Sequence, residues 1–304
     1  MRILVLGHTG YLGRHIAEQF RALGSVRLFG AGRDPASDLR VDLATADTGR
    51  LAEALADLSP DAVVNCAGAL GADPVTDAEV NARGPAVLCA ALRKAAPTAR
   101  LVHLGSAAEY GAGEHGVRVT EDAPTRPLTS YGATKLAGTV AVVSSGLDAV
   151  VLRVGNPVGP GAGPLSLPGG TALRLRRAGT DPDAVVRFGD LSAHRDFVDV
   201  RDLARAAVLA ATASGPLPRV LNVGGGRAVP IRDLVHGLVS VAGFRGRIDE
   251  AGVGSARSAG VAWQCSDISA ARAALGWEPR FTLTDALVAL WASVGACEEP
   301  DPVP

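Results

Sequence analysis

Short apolar runs alternate along the chain with longer segments whose apolar residues recur at helical spacing. The first run occupies residues 3–6. The segment that follows places apolar side chains at the three- and four-residue intervals of one helix face, at Leu12, Ile16, Phe20 and Leu23. This order predicts a strand, a tight turn and an amphipathic helix.

The same alternation continues through the first half of the chain. Apolar runs predict strands at 26–30 and 100–105, and a further strand at 61–68 ends in small residues. Residues 81–95 have the spacing of a helix. Repeated strand, turn and helix predicts an α/β fold, with a parallel sheet covered by helices on both faces. Ligands of such sheets bind at the carboxyl ends of the strands.

Three glycines, Gly7, Gly10 and Gly13, lie in the turn between the first strand and the first helix. Gly7 permits the sharp bend, Gly10 lets the backbone approach a pyrophosphate, and Gly13 lets the helix pack close to the strand. The unpaired N–H groups and the helix dipole then favour an anion there. The turn predicts a dinucleotide site. The alternative is an ordinary strand-to-helix turn, because the chain contains 37 glycines.

The end of the second strand bears on the choice between NAD and NADP. An NAD site usually has an acidic residue about 20 positions beyond the glycines, where it binds the ribose 2′-hydroxyl. The sequence at 29–33 is FGAGR, and the first carboxylate is that of Asp34. Arg33 can form the fork that suits a 2′-phosphate. NADP(H) is therefore favoured over NAD(H), the alternative being that Arg33 is a solvated loop charge.

The sequence predicts further cofactor contacts in four segments. These segments are the glycine turn, the residues after a third short strand at the adenine edge, the small residues that end the run at 61–68, and the start of the next helix. The contacts are Thr9, Tyr11, Leu12, Asp42, Leu43, Cys66, Ala67, Gly68 and Asn81. Small residues at a strand end let a cofactor lie against the backbone.

Candidate chemistry comes from Ser106, Tyr131 and Lys135. Tyr131 and Lys135 are four residues apart and so share one helix face. A free phenol has a pKa of about 10, and a nearby ammonium lowers it. With Ser106 holding the substrate oxygen, the three residues can move a proton while hydride passes to or from a nicotinamide. Tyr131 and Lys135 are also predicted cofactor contacts, and the alternative is an exposed helical pair.

Composition excludes several function classes. The formal net charge of −1 gives no general attraction to nucleic acid or to an anionic membrane. No apolar stretch reaches the roughly 20 residues that span a bilayer. The four cysteines form no CxxC pair, which predicts reduced thiols and a cytoplasmic location. The six histidines show no metal-ligand spacing, so no metal site is predicted.

Nearly the whole chain resembles the extended short-chain dehydrogenase/reductases, the NAD-dependent epimerase/dehydratase family. That group includes UDP-galactose 4-epimerase, sugar-nucleotide dehydratases and deoxysugar 4-ketoreductases. The matching motifs occur in the family's order: GHTGYLG at 7–13, SAAEYG at 106–111, YGATK at 131–135, LRVGNPVGP at 152–160, HRDFVDVRD at 194–202, LNVG at 221–224 and LGWEP at 275–279.

The resemblance implies a Rossmann-type doubly wound parallel sheet with a smaller C-terminal substrate-binding domain. The dinucleotide domain is expected to comprise residues 1–155 together with about 195–226. The substrate domain is expected to comprise about 156–194 together with 227–304. A homodimer packed through two helices per subunit is usual among proteins of this kind, and it is expected here.

Specific roles also follow from the resemblance. Ser106, Tyr131 and Lys135 match the catalytic residues of the family, and Ser106 also contacts substrate. Asn156 and Arg195 match residues that bind the diphosphate of a nucleotide sugar, for which a guanidinium fork is well suited. Arg257 is a further candidate cation, although the acidic residue that often follows at this point in the family is absent.

The residues after Ser106 narrow the reaction. Dehydratases of the family have an Asp-Glu pair there, whereas this chain has Ala107 and Ala108, which disfavours dehydration. The favoured function is an NAD(P)(H)-dependent ketoreductase of a nucleotide-activated deoxysugar. A nucleotide-sugar epimerase is the alternative. NADPH-dependent reduction of a non-sugar natural product, and a non-catalytic dinucleotide-binding relative, are further alternatives.

Overall fold

The computed structural model describes residues 1–71, 73–251 and 260–294. Its strands are β1 (Arg2–Leu6), β2 (Arg27–Gly32), β3 (Leu39–Arg40), β4 (Ala62–Asn65), β5 (Arg100–Ser106), β6 (Ala149–Val154), β7 (Asn156–Val158), β8 (Val185–Arg187), β9 (His194–Asp199), β10 (Val220–Val223), β11 (Ala228–Pro230) and β12 (Arg247–Asp249). Its α-helices are α1 (Tyr11–Ala22), α2 (Thr48–Leu58), α3 (Pro74–Ala78), α4 (Gly84–Ala95), α5 (Ser130–Val143), α6 (Leu167–Ala178), α7 (Val200–Thr212), α8 (Ile231–Ala242), α9 (Ser269–Leu275) and α10 (Leu283–Val294).

Seven parallel strands form the central sheet, in the order β10-β6-β5-β4-β1-β2-β3. The strands β4 and β6 are buried along their whole length, which is why apolar residues follow one another at 62–64 and 149–152 rather than alternating with polar ones. The predicted Rossmann-type α/β fold is confirmed. The chain runs outward from β1 in one direction to β3 and then returns beside β1 as β4. Ligands of doubly wound sheets bind at this switch point.

Helices cover both faces of the sheet, and each face has its own apolar core. On one face α1, α7 and α9 pack around Ile16, Phe20 and Leu203. On the other face α2, α4 and α5 pack around Leu55 and Leu88. The two clusters pack the sheet from both faces, so the side chains at its carboxyl edge are held in defined positions.

A third apolar cluster lies outside the central sheet and joins α6, α8, α10 and β8. The strands β11-β9-β7 form a small sheet beside it, and β8 pairs with β12. The helix α9 and the fully buried Trp277 pack on the central-sheet core, where the Trp277 indole N–H donates to the Asp202 carbonyl (2.9 Å). The division of the chain into two domains by residue range stays a prediction.

Element ends differ from the predicted ones at a few positions. Leu23, predicted on the buried face of the first helix, ends that helix as its C-cap and is 47% exposed. The helix predicted at 81–95 begins with a wider π-helical turn at Glu79–Arg83 and continues as α4. Such turns are frequent at functional sites.

Candidate active site

The glycine turn between β1 and α1 has the geometry that a dinucleotide site requires. Gly7 has a φ of +74°, and its N–H donates to the Ala31 carbonyl (2.8 Å). A Cβ added at Gly13 would lie 2.1 Å from the Gly7 carbonyl oxygen, so only glycine lets the helix approach this closely. Several other helices begin with a side-chain cap, such as Thr129 before α5. The N-cap of α1 is Gly10, which provides no side-chain acceptor. The first N–H groups of α1 are therefore available to an anion.

The other predicted residues of this turn contribute unequally. Thr9 is exposed at the turn. The Tyr11 side chain faces away from the turn, packs on the third apolar cluster and donates to the Gly159 carbonyl (3.5 Å). Leu12 packs against the core that contains α1. Tyr11 and Leu12 can therefore offer an anion their backbone N–H groups.

The predicted contacts beyond the glycine turn include residues that follow β2 and β3. Arg33 is exposed immediately after β2. The Asp42 carboxylate accepts the Ala44 N–H (3.0 Å), and Leu43 is buried in the core beneath it. Arg83 donates to the carbonyls of Leu43 and Ala44 and so fixes this loop.

The next predicted contacts, Cys66–Gly68, directly follow β4. A Cβ at Gly7 would lie 2.9 Å from the Ala67 nitrogen, so the glycine turn and the Cys66–Gly68 segment lie side by side. Asn81 is fully buried, and its amide both donates to and accepts from the Ala69 backbone (2.9 and 3.0 Å). It also donates to the Thr134 hydroxyl (3.3 Å). Asn81 therefore connects the segment that follows β4 to α5.

Ser106, Tyr131 and Lys135 lie together at the carboxyl edge of the sheet. Ser106 ends β5, and Tyr131 and Lys135 occupy successive turns at the start of α5. The side chains of Ser106 and Tyr131 are hydrogen-bonded to each other. The Lys135 Nζ donates to the Leu104 carbonyl (2.6 Å), and Lys135 is buried. The Ala108 N–H donates to the Ser106 hydroxyl oxygen (3.2 Å), which leaves the hydroxyl proton free to be donated.

The pKa of Tyr131 differs from the sequence-based expectation. Burial raises it, and the carboxylates of Glu109 and Asp77 raise it further, against the lowering effect of the Ser106 hydrogen bond. Burial lowers the pKa of Lys135 to about 8, although Glu109 opposes this. The buried amine is directed to the Leu104 carbonyl and does not lower the pKa of the phenol in the protein alone. Tyr131 therefore keeps its proton at neutral pH.

A buried ion pair beneath Ser106 was missed by sequence reasoning. Glu109 is fully buried and accepts the Ser106 N–H (2.7 Å) and the Thr139 hydroxyl (3.0 Å). Arg153, the last residue but one of β6, donates to its other carboxylate oxygen (2.8 Å). The signal that could have found it is an arginine inside a buried strand, since such a charge needs a partner. Glu109 holds the backbone of Ser106 in place.

Glu109→Gln is expected to lower the free energy of unfolding by about 3–5 kcal/mol, because it leaves the buried Arg153 guanidinium without its counter-charge. Urea denaturation of the purified protein measures this. The matched control is Glu250→Gln, which breaks the solvent-exposed pair with Arg232 and should change stability little. Equal losses of unfolding free energy in the two variants would contradict the assignment of Glu109 as the buried counter-charge of Arg153.

The predicted diphosphate residues lie on neighbouring strands. Asn156 on β7 is paired with Phe197 on β9, and its amide donates to the Gln264 side chain and the Asp196 carbonyl (both 3.2 Å). Arg195 on β9 is 8% exposed, and burial lowers its pKa. Within residues 1–71, 73–251 and 260–294 no carboxylate forms an ion pair with Arg195, which donates to the His194 carbonyl (2.8 Å).

Arg257 lies outside the described residues. Among those that are described, no group of three or more His, Cys, Asp or Glu side chains is placed to hold a metal ion. In the same part of the chain, no helix has the length and apolar character needed to cross a membrane.

Comparison with known proteins agrees with this geometry. Residues 3–224 match the NAD dependent epimerase/dehydratase family. The chain belongs to this family. It is 37% identical to a dTDP-6-deoxy-L-talose 4-dehydrogenase (NAD(P)(+)) of Kitasatospora kifunensis, over 96% of this chain and 95% of that enzyme. It is 32% identical to a UDP-glucose 4-epimerase of Azospirillum brasilense, over 80% of this chain and 78% of that enzyme.

Solved structures place this family member among the same enzymes. The UDP-glucose 4-epimerase of Thermus thermophilus, solved with NAD, superposes with a TM-score of 0.83 at 27% identity, covering 98% of this chain and all of that chain (100%). The predictions of family, fold and an NAD(P)-dependent short-chain dehydrogenase/reductase are confirmed. The cofactor is accordingly a nicotinamide dinucleotide.

Proposed function

We propose that this family member reduces a ketone on a nucleotide-activated deoxysugar with NADP(H). The observation that carries the proposal is the grouping of Ser106 at the end of β5 with Tyr131 and the buried Lys135 at the start of α5, at the carboxyl edge of the sheet. A phenol that keeps its proton at neutral pH is ready to donate it to a ketone oxygen that is being reduced. The 37% identity to an enzyme named as a 6-deoxy-L-talose 4-dehydrogenase supports a deoxysugar carbon as the reacting centre.

Each side chain of the site then has one task. Ser106 binds the ketone oxygen through its free hydroxyl proton, and Tyr131 donates a proton to that oxygen. The Lys135 ammonium uses one N–H bond on the Leu104 carbonyl, which leaves two for the dinucleotide ribose. The bound nicotinamide supplies the hydride. Glu109 keeps Ser106 aligned from below.

A diphosphate is the proposed anchor of the substrate. Arg195 is buried, and within the described part of the chain no carboxylate neutralises it, so an anionic ligand would supply the missing charge. Asn156, on the neighbouring strand, would serve as a further donor once its amide exchanges the Gln264 side chain (3.2 Å) for the diphosphate. Arg257 remains a proposed second cation.

The preference for NADP(H) is part of the proposal. Arg33 is exposed directly after β2, and no ion pair or hydrogen bond involves it among the residues that the structure describes. Its guanidinium is therefore free to bind a 2′-phosphate. A nucleotide-sugar epimerase is the second candidate, favoured by the 32% identity to a UDP-glucose 4-epimerase.

Two predictions about the protein's setting are retained as proposals. The first is a homodimer packed through two helices per subunit. We propose that α5 is one of them, because it exposes apolar side chains at Ala133, Ala137 and Val140. The second is a cytoplasmic location, supported by Cys66, Cys89 and Cys265, which are all free thiols.

The cofactor retained by the purified protein separates reductase from epimerase. We expect mass spectrometry of the denatured protein to find no tightly held NAD, and NADPH to be consumed when a dTDP-4-keto-6-deoxyhexose is added. A reductase releases its oxidised cofactor in each turnover. An epimerase oxidises one carbon of its substrate, re-reduces the resulting ketone intermediate and so keeps its cofactor. Stoichiometric NAD in the denatured sample, with no consumption of NADPH, would establish the epimerase instead.

A further inference from the structure

His8, the residue after the first glycine of the turn, lies over β2. A Cβ added at Gly30 would be 2.7 Å from the Cε1 and Nδ1 atoms of His8 and 2.8 Å from its Cδ2 atom. The imidazole ring therefore occupies the space in which a side chain at position 30 would begin. Gly30 is paired with Val5 of β1 near the carboxyl end of β2, in the region where family members that use NAD place an acidic residue.

The same imidazole is tied to the loop after β2. Its Nε2 atom is hydrogen-bonded to the Ser37 hydroxyl (2.9 Å). Arg33 lies in the same loop and is exposed. Because a neutral imidazole has one N–H, the hydrogen-bonded His8–Ser37 pair has one donor left for a ligand, and the Arg33 guanidinium adds its fork of donors. The hydroxyl and the guanidinium lie on the segment that follows β2, and the imidazole reaches that segment from the glycine turn.

The carboxylates nearest to this segment are already engaged by backbone N–H groups. Asp38 accepts the Gly30 N–H (2.7 Å), and Asp34 accepts the Ala36 N–H (2.8 Å). Each of these carboxylates is therefore held in a fixed orientation by one backbone N–H. The Arg33 guanidinium and the His8–Ser37 pair remain as hydrogen-bond donors, which are the groups that a phosphate monoester requires.

We propose that His8 and Ser37 complete, with Arg33, a subsite for the 2′-phosphate of the dinucleotide, and that the His8 ring excludes a carboxylate side chain from position 30. His8 then determines cofactor choice in two ways, by binding the phosphate and by filling the space that an NAD-type acidic residue needs. This inference rests on the proposed preference for NADP(H).

Binding of adenosine 2′,5′-bisphosphate and of AMP to the full-length protein tests the subsite without any turnover. Calorimetry should show that His8→Ala and Ser37→Ala each weaken the bisphosphate about tenfold or more, because each breaks the His8–Ser37 pair that supplies one hydrogen bond to the charged phosphate. Binding of AMP should change by less than about threefold. The matched control is Arg40→Ala, which removes another exposed cation of the neighbouring β3 and should affect both probes little.

The steric half of the proposal is tested by a pair of variants at one contact. Gly30→Asp alone should lose affinity for both NADPH and NADH, because its side chain meets the His8 ring. The double variant His8→Gly, Gly30→Asp removes that ring, and it should bind NADH more tightly than wild type and NADPH more weakly. Thermal melts of each variant confirm that the proteins compared are folded.

The outcomes separate this inference from the proposed function. If the wild-type protein binds AMP as tightly as the bisphosphate, the preference for NADP(H) itself is wrong. If wild type prefers the bisphosphate and both His8→Ala and Ser37→Ala keep that preference, the preference stands and the roles of His8 and Ser37 are refuted. A Gly30→Asp variant that gains NADH affinity with His8 in place would overturn the steric role.

Discussion

Tyr131→Phe is expected to lower kcat by about 10²–10⁴-fold while dinucleotide affinity stays within about threefold of wild type. The phenol is the group that donates a proton to the reacting oxygen, and phenylalanine keeps its ring and packing without that proton. Ser106 remains to bind the oxygen, because Glu109 still accepts its backbone N–H (2.7 Å), but its hydroxyl is a much weaker acid than a phenol. Rapid-mixing measurement of NADPH oxidation gives kcat, and fluorescence titration gives the affinity.

Tyr110→Phe is the matched control, because it removes a second buried phenol close to the same serine. The Tyr110 hydroxyl donates to the Asn222 side chain (2.7 Å) and so is engaged away from the Ser106 hydroxyl. Its loss should cost roughly 1 kcal/mol of stability, the usual worth of one hydrogen bond, and leave kcat near wild type. A Tyr131→Phe variant as active as Tyr110→Phe would remove the proton donor on which the proposed reaction depends.

The fold was predictable because its signals are local. Each apolar run, such as those of β1, β4 and β5, indicates its own strand. At the start of the chain, the run of β1 and the glycines at 7, 10 and 13 indicate a strand, a turn and a helix within about a dozen residues. The meeting of Ser106 with Tyr131 was predictable too, since parallel strands deliver their carboxyl ends to one edge.

Features that depend on distant packing were not predictable in the same way. The Glu109–Arg153 pair joins residues on two elements 44 positions apart, and no local pattern links them. The direction of the Tyr131 pKa depends on burial and on carboxylates from two other segments, whereas the sequence showed only the lysine four residues away. The contact of the His8 ring with Gly30 could not be predicted, because a glycine in a strand does not indicate which side chain packs against it.

Gly13→Ala is expected to abolish measurable dinucleotide binding and to destabilise the protein. The added Cβ would lie 2.1 Å from the Gly7 carbonyl oxygen and 2.9 Å from the His8 Cα, which are backbone atoms rather than a flexible side chain. That backbone is held by the Gly7 N–H on Ala31 (2.8 Å) and by the Gly10 N–H on the Gly7 carbonyl (2.9 Å). The helix must therefore move off the strand, at a cost of about 1–3 kcal/mol or more.

Gly10→Ala in the same turn separates loss of binding from loss of fold. Its Cβ would lie 3.2 Å from the Gly7 carbonyl oxygen, a contact that a shift of a few tenths of an ångström relieves. Thermal melts should therefore place Gly10→Ala near wild type and Gly13→Ala well below it. Both should lose affinity for NADPH by titration, since position 10 is where the pyrophosphate approaches the backbone. If Gly13→Ala melts and binds like wild type, the close packing of α1 on β1 is not what shapes the cofactor turn.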